Sequence, residues 1–412
     1  MKPPVFNLGD VCRFQNGFAF KSKFFTETGV PILRISNIQS GSIDLKRIAY
    51  TNPDLYEENL DKYLVGDGDL LIAMSGATTG KIGINKTGLD FLLNQRVGRF
   101  IPSNKLDQQY LYFYLSTKVE EHLEISAGAA QPNLSTEQIK GMKIPLPDIE
   151  EQKRIVAILD KAFAEIEQAR ANTEQNLKNA RELFESYLQQ VFSQRGEGWI
   201  DEPMDHLFKI KHGYAFKSRD FITEPDGELP IVLTPGNYTE YGDLYFTEKN
   251  TKRCISDYPS DFLFRNGDLT IVMTDLSPHM KILGKPAFIQ SNNVLHNQRI
   301  GKFEFLTNKV EGEYLYYFLL SGLSLESIKS TATGATVRHT APTRILQNNF
   351  PYPTDREKQF ELVRALNTVN EKTKHLEVVY KEKLFQLDEL KRSILQKAFT
   401  GELKATSKGV AA

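Results

Sequence analysis

The sequence predicts a mixed α/β (α+β) chain in which two globular domains form a tandem pseudo-two-fold repeat, separated by a coiled coil of two long helices whose identical registers permit an antiparallel pair. Three observations predict it: an apolar seam of 3.5-residue spacing written twice, an ordered set of motifs that recurs once, and a composition ordinary for a globular protein.

The seam comes first because it sets the scale. Ile155, Leu159, Ala162, Ile166, Ala169, Thr173, Asn176, Ala180, Leu183 and Tyr187 alternate steps of four and three. Leu362, Leu366, Val369, Thr373, Leu376, Tyr380, Lys383, Leu387, Leu390 and Ile394 keep the same register, each 207 positions after its counterpart. Helices are therefore expected from about Glu150 to Phe192 and from about Arg356 to Phe399, made to pack on each other. At a rise of ~1.5 Å per residue, such a helix is a rod of roughly 60 Å. Asp148 with Glu151, and Thr354 with Glu357, read as capping boxes at the two helix starts.

The globular segments repeat as well. Gly17-Phe18-Ala19-Phe20-Lys21-Ser22 returns as Gly213-Tyr214-Ala215-Phe216-Lys217-Ser218, and Gly68-Asp69-Leu70 as Gly267-Asp268-Leu269. Asn94-Gln95-Arg96 returns as Asn297-Gln298-Arg299, and Tyr110-Leu111-Tyr112 as Tyr314-Leu315-Tyr316. The order is kept throughout, so a whole domain with its helix is duplicated. Short apolar runs at Val30 to Ile35, Asp69 to Met74 and Ile231 to Thr234, bounded by turn residues, are expected strands. Tyr110 to Ser116 and Tyr314 to Ser321 read as short helices, with strand as the alternative. The expected division is 1–147 and 196–353 for the globular domains, 148–195 and 354–403 for the helices, and 404–412 for a tail.

Composition bounds the partners loosely. A formal net charge of −1, from 51 Lys and Arg against 52 Asp and Glu, neither demands nor excludes nucleic acid, because a local basic groove can be offset elsewhere. The 2 cysteines, Cys12 and Cys254, provide neither a disulfide framework nor a zinc spacing, and a cytoplasmic protein without a membrane span is expected.

Motifs that imitate catalysis are incomplete. Gly76-Ala77-Thr78-Thr79-Gly80-Lys81 is one residue short of a phosphate loop and has Ile82 where Ser or Thr would bind magnesium. Asp148, Glu151 and Lys153 resemble a nuclease set but sit within one helix start, where capping explains them. Asn52-Pro53-Asp54-Leu55 lacks the second proline and the aromatic of adenine methyltransferases. No catalytic residue and no metal ligand is assigned.

Candidate DNA contacts remain in the loops. Lys21, Ser22, Lys23, Lys217, Ser218 and Arg219 supply donors suited to phosphate, with a solvated turn as the plain alternative. Phe18, Phe20, Tyr214 and Phe216 beside them are assigned to the core. Loops from Ser75 to Lys81 and from Asp275 to Lys281 are paired as equivalent, offering Thr78, Thr79 and Lys81 against His279 and Lys281. A third pair, ahead of the long helices, offers Gln131 and Asn133 against Arg338 and His339. Side chains such as these read base edges in the major groove, although a turn role suits any one of them. Differing loops on one repeated scaffold suggest two different targets.

The ordered motif set resembles the specificity subunits of type I DNA restriction-modification systems over nearly the whole chain. It rests on the duplicated Gly-aromatic-Ala-Phe-Lys-Ser turn, on Gly128 to Ser135 followed by Ile144-Pro145-Leu146-Pro147 and Glu151-Gln152, on the two long helices, and on Ile394 to Leu403. The second copy departs where Val337-Arg338-His339-Thr340 replaces Gln131-Pro132-Asn133-Leu134. The resemblance implies two target recognition domains, each reading half of a split site on double-stranded DNA. It also implies antiparallel helices that seat two modification (methyltransferase) subunits carrying S-adenosylmethionine, and a restriction subunit using ATP and magnesium. This chain would then hold no cofactor and do no bond chemistry. The alternatives are a recognition subunit of a methyltransferase-only complex and, further off, a stand-alone DNA methyltransferase or nuclease.

Overall fold

The structure, a computed structural model, describes residues 3–119, 133–223 and 228–403. Two compact units divide the chain, one comprising 1–173 with 382–412 and the other 174–381. Both boundaries fall inside a long helix. The cause is packing: each globular part is roofed by the start of one long helix and the end of the other.

In the first unit, Leu70–Ala73 is the strand around which the rest is built. It lies between Ile82–Ile84 and Val97–Pro102, with Cys12–Asn16 beyond, all antiparallel. Leu70 and Ile72 face one core cluster while Leu71 and Ala73 face another, so the strand is buried on both sides. A run without polar alternation is what two covered faces require. The second sheet is mixed, with Val30–Leu33 parallel to Phe91–Leu93. The second unit repeats this plan with Leu269–Val272 at the centre and Ile231–Leu233 parallel to Val294–His296. The aromatic segments are helices, Gln108–Ser116 and Gly312–Leu320, and they send Tyr110 and Tyr314 hydroxyls to the Pro145 and Pro351 carbonyls at 2.8 and 3.1 Å. Cys12 is buried and free, which pushes its thiol up to about 12.

The long helices are Ile149–Ser193 and Arg356–Thr400, 45 residues each. In the first unit, Glu167 meets Lys391 at 2.8 Å and Arg170 meets Asp388 at 2.5 Å, which sets them antiparallel. In the second, Arg181 grips Glu377 with two bonds of 3.1 and 3.3 Å. The expected seam holds in full as far as Thr173 and Tyr380, and beyond them Ala180, Tyr187, Leu387 and Ile394 keep their places while the positions between them turn outward. Asn176 and Lys383 are exposed, Leu183 and Leu390 are 62% and 47% exposed, and the half-buried positions become Leu177, Phe184, Leu384 and Leu395. A helix of 3.6 residues per turn drifts by ~20° per heptad from a 3.5-residue pattern, and a four-residue step restores contact. Both helices take that step at equivalent places.

The helix starts are held by more than a cap. Asp148 Oδ1 accepts from the Glu151 amide at 2.9 Å, but Glu151 turns to Arg154, and it is Asp355, not Thr354, that caps the second helix, accepting from the Glu357 amide. Half of the first expected capping box is therefore absent and the whole of the second, where the Thr354 amide and hydroxyl both donate to the Gly198 carbonyl. The catalytic imitation at Asp148, Glu151 and Lys153 is spent on the cap, on Arg154 and on Glu150. A glutamine does the rest. Gln152, wholly buried, accepts from the Asp107 amide and donates to the Lys105 and Pro147 carbonyls at 2.8 to 2.9 Å. Gln359 repeats the set with the Glu311 amide and the Lys309 and Pro353 carbonyls at 2.9 to 3.0 Å. Gln359→Ala would leave three backbone groups unpaired in a water-poor site. We expect it to destabilise the second unit by about 3 kcal/mol, read as a lower denaturant midpoint at unchanged slope.

Candidate nucleic-acid interface

In each unit, three segments distant in sequence converge on one methionine at the end of the central strand. Met74 takes the Arg96 carbonyl at 2.9 Å and gives its own carbonyl to the Leu134 amide at 2.8 Å, while Ser75 bridges to Asn133. Met273 takes the Arg299 carbonyl at 2.9 Å and gives its carbonyl to the Thr340 amide at 3.0 Å, while Thr274–Asp275 pairs with Arg338–His339. The loop after the strand, the Asn-Gln-Arg turn and the segment ahead of the long helix are thus brought together twice.

The repeated Gly-aromatic motif braces this junction from behind. Phe18 donates its amide to the Leu93 carbonyl at 2.8 Å and accepts from the Gln95 amide at 2.8 Å; Tyr214 does the same with His296 and Gln298 at 2.7 and 3.0 Å. Such an approach needs glycine just before it, since a Cβ on Gly17 or Gly213 would lie 2.2 Å from a backbone oxygen of Leu93 or Asn297. The aromatic side chains are only partly in the core. Phe18 and Phe20 pack with Tyr56, but Tyr214 is 38% exposed, covered only in part by Phe216 and Phe262. The assignment of Tyr214 to the core is corrected accordingly.

The expected contact residues fall into three groups. Lys21, Ser22 and Lys23 are exposed on the turn after the motif, with Lys23 Nζ 4.8 Å from the Phe24 ring centre. Lys217 and Arg219 are exposed on the equivalent turn, which Ser218 opens, and Asp220 braces it by accepting from the Lys217 amide at 2.7 Å. At the junction, Asn133 is exposed and accepts from Arg96 Nη1 at 3.1 Å, while Gln131 lies outside the described residues. His279 is exposed, His339 Nδ1 lies 3.1 Å from the Thr274 hydroxyl, and Arg338 is half-buried. The third group is turned to structural work. Thr78 donates to the Ile35 carbonyl at 2.9 Å, Lys81 donates to Gln39 at 3.2 Å, and Lys281 pairs with Glu240 at 2.8 Å. Thr79 is 1% exposed with its hydroxyl given to the Gly76 carbonyl, so its side chain is not offered at the surface.

Backbone pairing also corrects the equivalence of the first loops. Lys81 precedes strand Ile82–Ile84 and gives its carbonyl to the Ala73 amide at 3.0 Å; the residue in that place in the second unit is Lys285, bonded to Val272 at 3.0 Å, and not Lys281. The second loop is simply longer. Burial pushes Lys285 down to about 8. In the first unit the loop makes one 3-10 turn, Gly76–Thr78, and enters a strand, so no helix N-terminus stands behind it to hold a phosphate.

In the second unit a cleft of about 310 Å³ opens beside the junction, lined by Thr234, Asn250, Lys252, Leu276, Gln298 and Arg299 among others. Asn250, Lys252 and both Gln-Arg pairs were not among the expected contacts. The signal for the pairs was present, since Asn-Gln-Arg is one of the segments that repeat unchanged.

The model of the type I restriction modification DNA specificity domain matches residues 4–175 and 197–384, once in each repeat. The chain belongs to that family. The specificity subunit of the type I restriction enzyme MjaVIII of Methanocaldococcus jannaschii is 23% identical over 395 residues, covering 91% of this chain and 86% of that protein. The EcoBI specificity subunit of Escherichia coli is 23% identical over 431 residues, covering 97% and 86%. Among solved structures, a chain from a study of type I restriction-modification complex assembly superposes with a TM-score of 0.76 at 20% identity, covering 98% of both chains. The HsdS subunit from Thermoanaerobacter tengcongensis gives 0.55 at 19% identity over 97% of both. As a member of this specificity family the chain recognises DNA and is not itself an enzyme. Among the described residues no helix is long and apolar enough to cross a membrane.

Proposed function

We propose that this specificity subunit reads a split DNA site, one half with each globular domain (1–147 and 196–353), and that the helices at 148–195 and 354–403 set the gap between the halves. The observation that carries the reading is the duplicated junction: the same three segments meet at Met74 and at Met273, yet they carry different side chains, Asn133 with Arg96 in one and Arg338 with His339 in the other. One scaffold presenting two chemistries suits two different base sequences. A rod of roughly 60 Å limits the half-sites to within about 18 base pairs at ~3.4 Å each. Centres about one helical turn of DNA apart would meet facing grooves.

Bond chemistry belongs to partners in this reading. Two methyltransferase subunits with S-adenosylmethionine would be seated on the helices, and a restriction subunit with ATP and magnesium would join them. Deleting the gene is expected to abolish N6-methyladenine at one motif, two short specific parts around a fixed unspecific gap, in a genome-wide methylation map. Loss of a continuous motif would refute the split-site reading, and an unchanged map would refute the methyltransferase partnership. Restriction of incoming unmethylated DNA separates a full system from a methyltransferase-only complex.

A further inference from the structure

Gln95-Arg96 and Gln298-Arg299 are identical in the two repeats and exposed in both, while the loops beside them differ in length and in sequence. A residue that reads a base must change when the two half-sites differ. One that grips phosphate need not, because every nucleotide carries the same phosphate.

We propose that Arg96 and Arg299, each with its neighbouring glutamine, are the phosphate grips of the two units, and that they fix the register from which the diverged loops read bases. The proposal rests on the DNA-recognition reading above and adds which residues do the work common to both halves.

Charge pairing supports it. The repeated segment holds two basic residues, and the second of them is neutralised in both copies: Arg99 meets Asp69 at 2.7 Å and Lys302 meets Asp268 at 2.6 Å. The first is left charged. Among the described residues, Arg96 bonds a neutral acceptor, Asn133 Oδ1, and neither Arg96 nor Arg299 has an ion pair. The one carboxylate at these junctions among the described residues, Asp275, is buried and gives its oxygens to the Ser277 and Ile282 amides at 2.8 and 2.9 Å, so each surface guanidinium keeps its attraction for an anion.

Rigidity supports it too. Val97 and Ile300 amides close the turn onto the Asn94 and Asn297 carbonyls at 2.8 and 3.0 Å, and the Arg96 and Arg299 carbonyls are held by Met74 and Met273. The brace from Phe18 and Tyr214 adds a third attachment. A turn fixed at three points loses little freedom when it takes hold of a ligand. In the second unit, Lys252 lines the same cleft as Gln298 and Arg299, while Asn250 holds the cleft wall by donating to the Gly236 and Tyr245 carbonyls, so basic and amide donors border a space large enough for a phosphodiester and its sugar.

The test uses the chain co-purified with its methyltransferase partner and measures binding to sheared genomic DNA across a salt series, beside a methylation map of cells carrying each variant. In the double variant Arg96→Ala, Arg299→Ala, the slope of log affinity against log salt should shrink by about 2, near 0.9 for each lost contact. Affinity should fall about tenfold per arginine, with the methylated motif unchanged in sequence. Arg96→Lys with Arg299→Lys keeps the charges and should keep the slope, which a merely structural role would not do.

An unchanged slope in the alanine variant overturns the proposal. So does a motif relaxed at one position, which would make the arginine a base reader, or a lysine variant as weak as the alanine one. Should the unaltered complex itself show no salt-dependent binding, the DNA-recognition reading falls with it, an outcome distinct from tight binding with an unchanged variant slope.

Discussion

Gly213→Ala is expected to abolish the cooperative unfolding transition of the second unit at ordinary temperature, and Gly17→Ala that of the first. The added Cβ at position 213 would sit 2.2 Å from the Asn297 oxygen and 2.3 Å from its carbonyl carbon; at position 17 it would sit 2.2 Å from the Leu93 oxygen and 2.3 Å from the Asn94 oxygen. All are backbone atoms at the ends of strands, so no side chain can swing aside. Relief requires the Gly-aromatic segment to leave the Asn-Gln-Arg turn, breaking the bonds of Tyr214 to His296 and Gln298 or those of Phe18 to Leu93 and Gln95. The cost should exceed about 4 kcal/mol, a large share of the stability of a domain. Gly267→Ala is the comparison. Its φ is +89°, but nothing lies within 4 Å of its Cβ, so strain alone should cost about 1 kcal/mol. Calorimetry on the three variants separates collision from strain, and equal losses at positions 213 and 267 would contradict the packing argument.

The same glycines show what a sequence reveals and what it withholds. Repetition made the Gly-aromatic and Asn-Gln-Arg segments visible as markers of duplication, and the heptad spacing made the long helices visible, while their antiparallel direction came from the resemblance. That the two markers touch could not be read, because the bridge from Phe18 to Asn94 joins residues 76 apart through backbone alone. Beyond Thr173 the spacing finds Ala180 and Tyr187 but misses Leu177 and Phe184, since the later step depends on where the partner helix lies and not on local spacing. The loops ending at Lys81 and Lys281 are paired by their place after an apolar strand, and the longer second loop puts the backbone counterpart of Lys81 at Lys285. Of the two glutamines at the helix starts only Gln152 stands out in the sequence, and without a role, because the three bonds each makes are to groups whose position only folding supplies.

Lowering the pH from about 6.5 to about 4 is expected to remove roughly 3 kcal/mol of stability from the second unit through one residue. His296 is 2% exposed, its ring 4.6 Å from that of Phe264, with Nε2 at 2.8 Å from the Ile300 carbonyl. Burial pushes its pKa down to about 4, against the smaller raising effect of the Ile300 carbonyl; Lys211 and Lys302 also lower it and Asp268 raises it. Above the unfolded value both states hold a neutral imidazole and nothing is lost. As the pH falls, the unfolded chain takes up a proton that the folded chain refuses, so unfolding gains free energy until the folded ring protonates as well. The first repeat carries Leu93 at this place, paired with Leu33 as His296 is with Leu233. His296→Leu should therefore flatten the stability curve between pH 6.5 and 4.5, while carboxylates still account for the loss at lower pH. Denaturant midpoints across that range decide the matter: an equal slope with pH in the leucine variant would mean that groups other than this histidine carry the acid sensitivity.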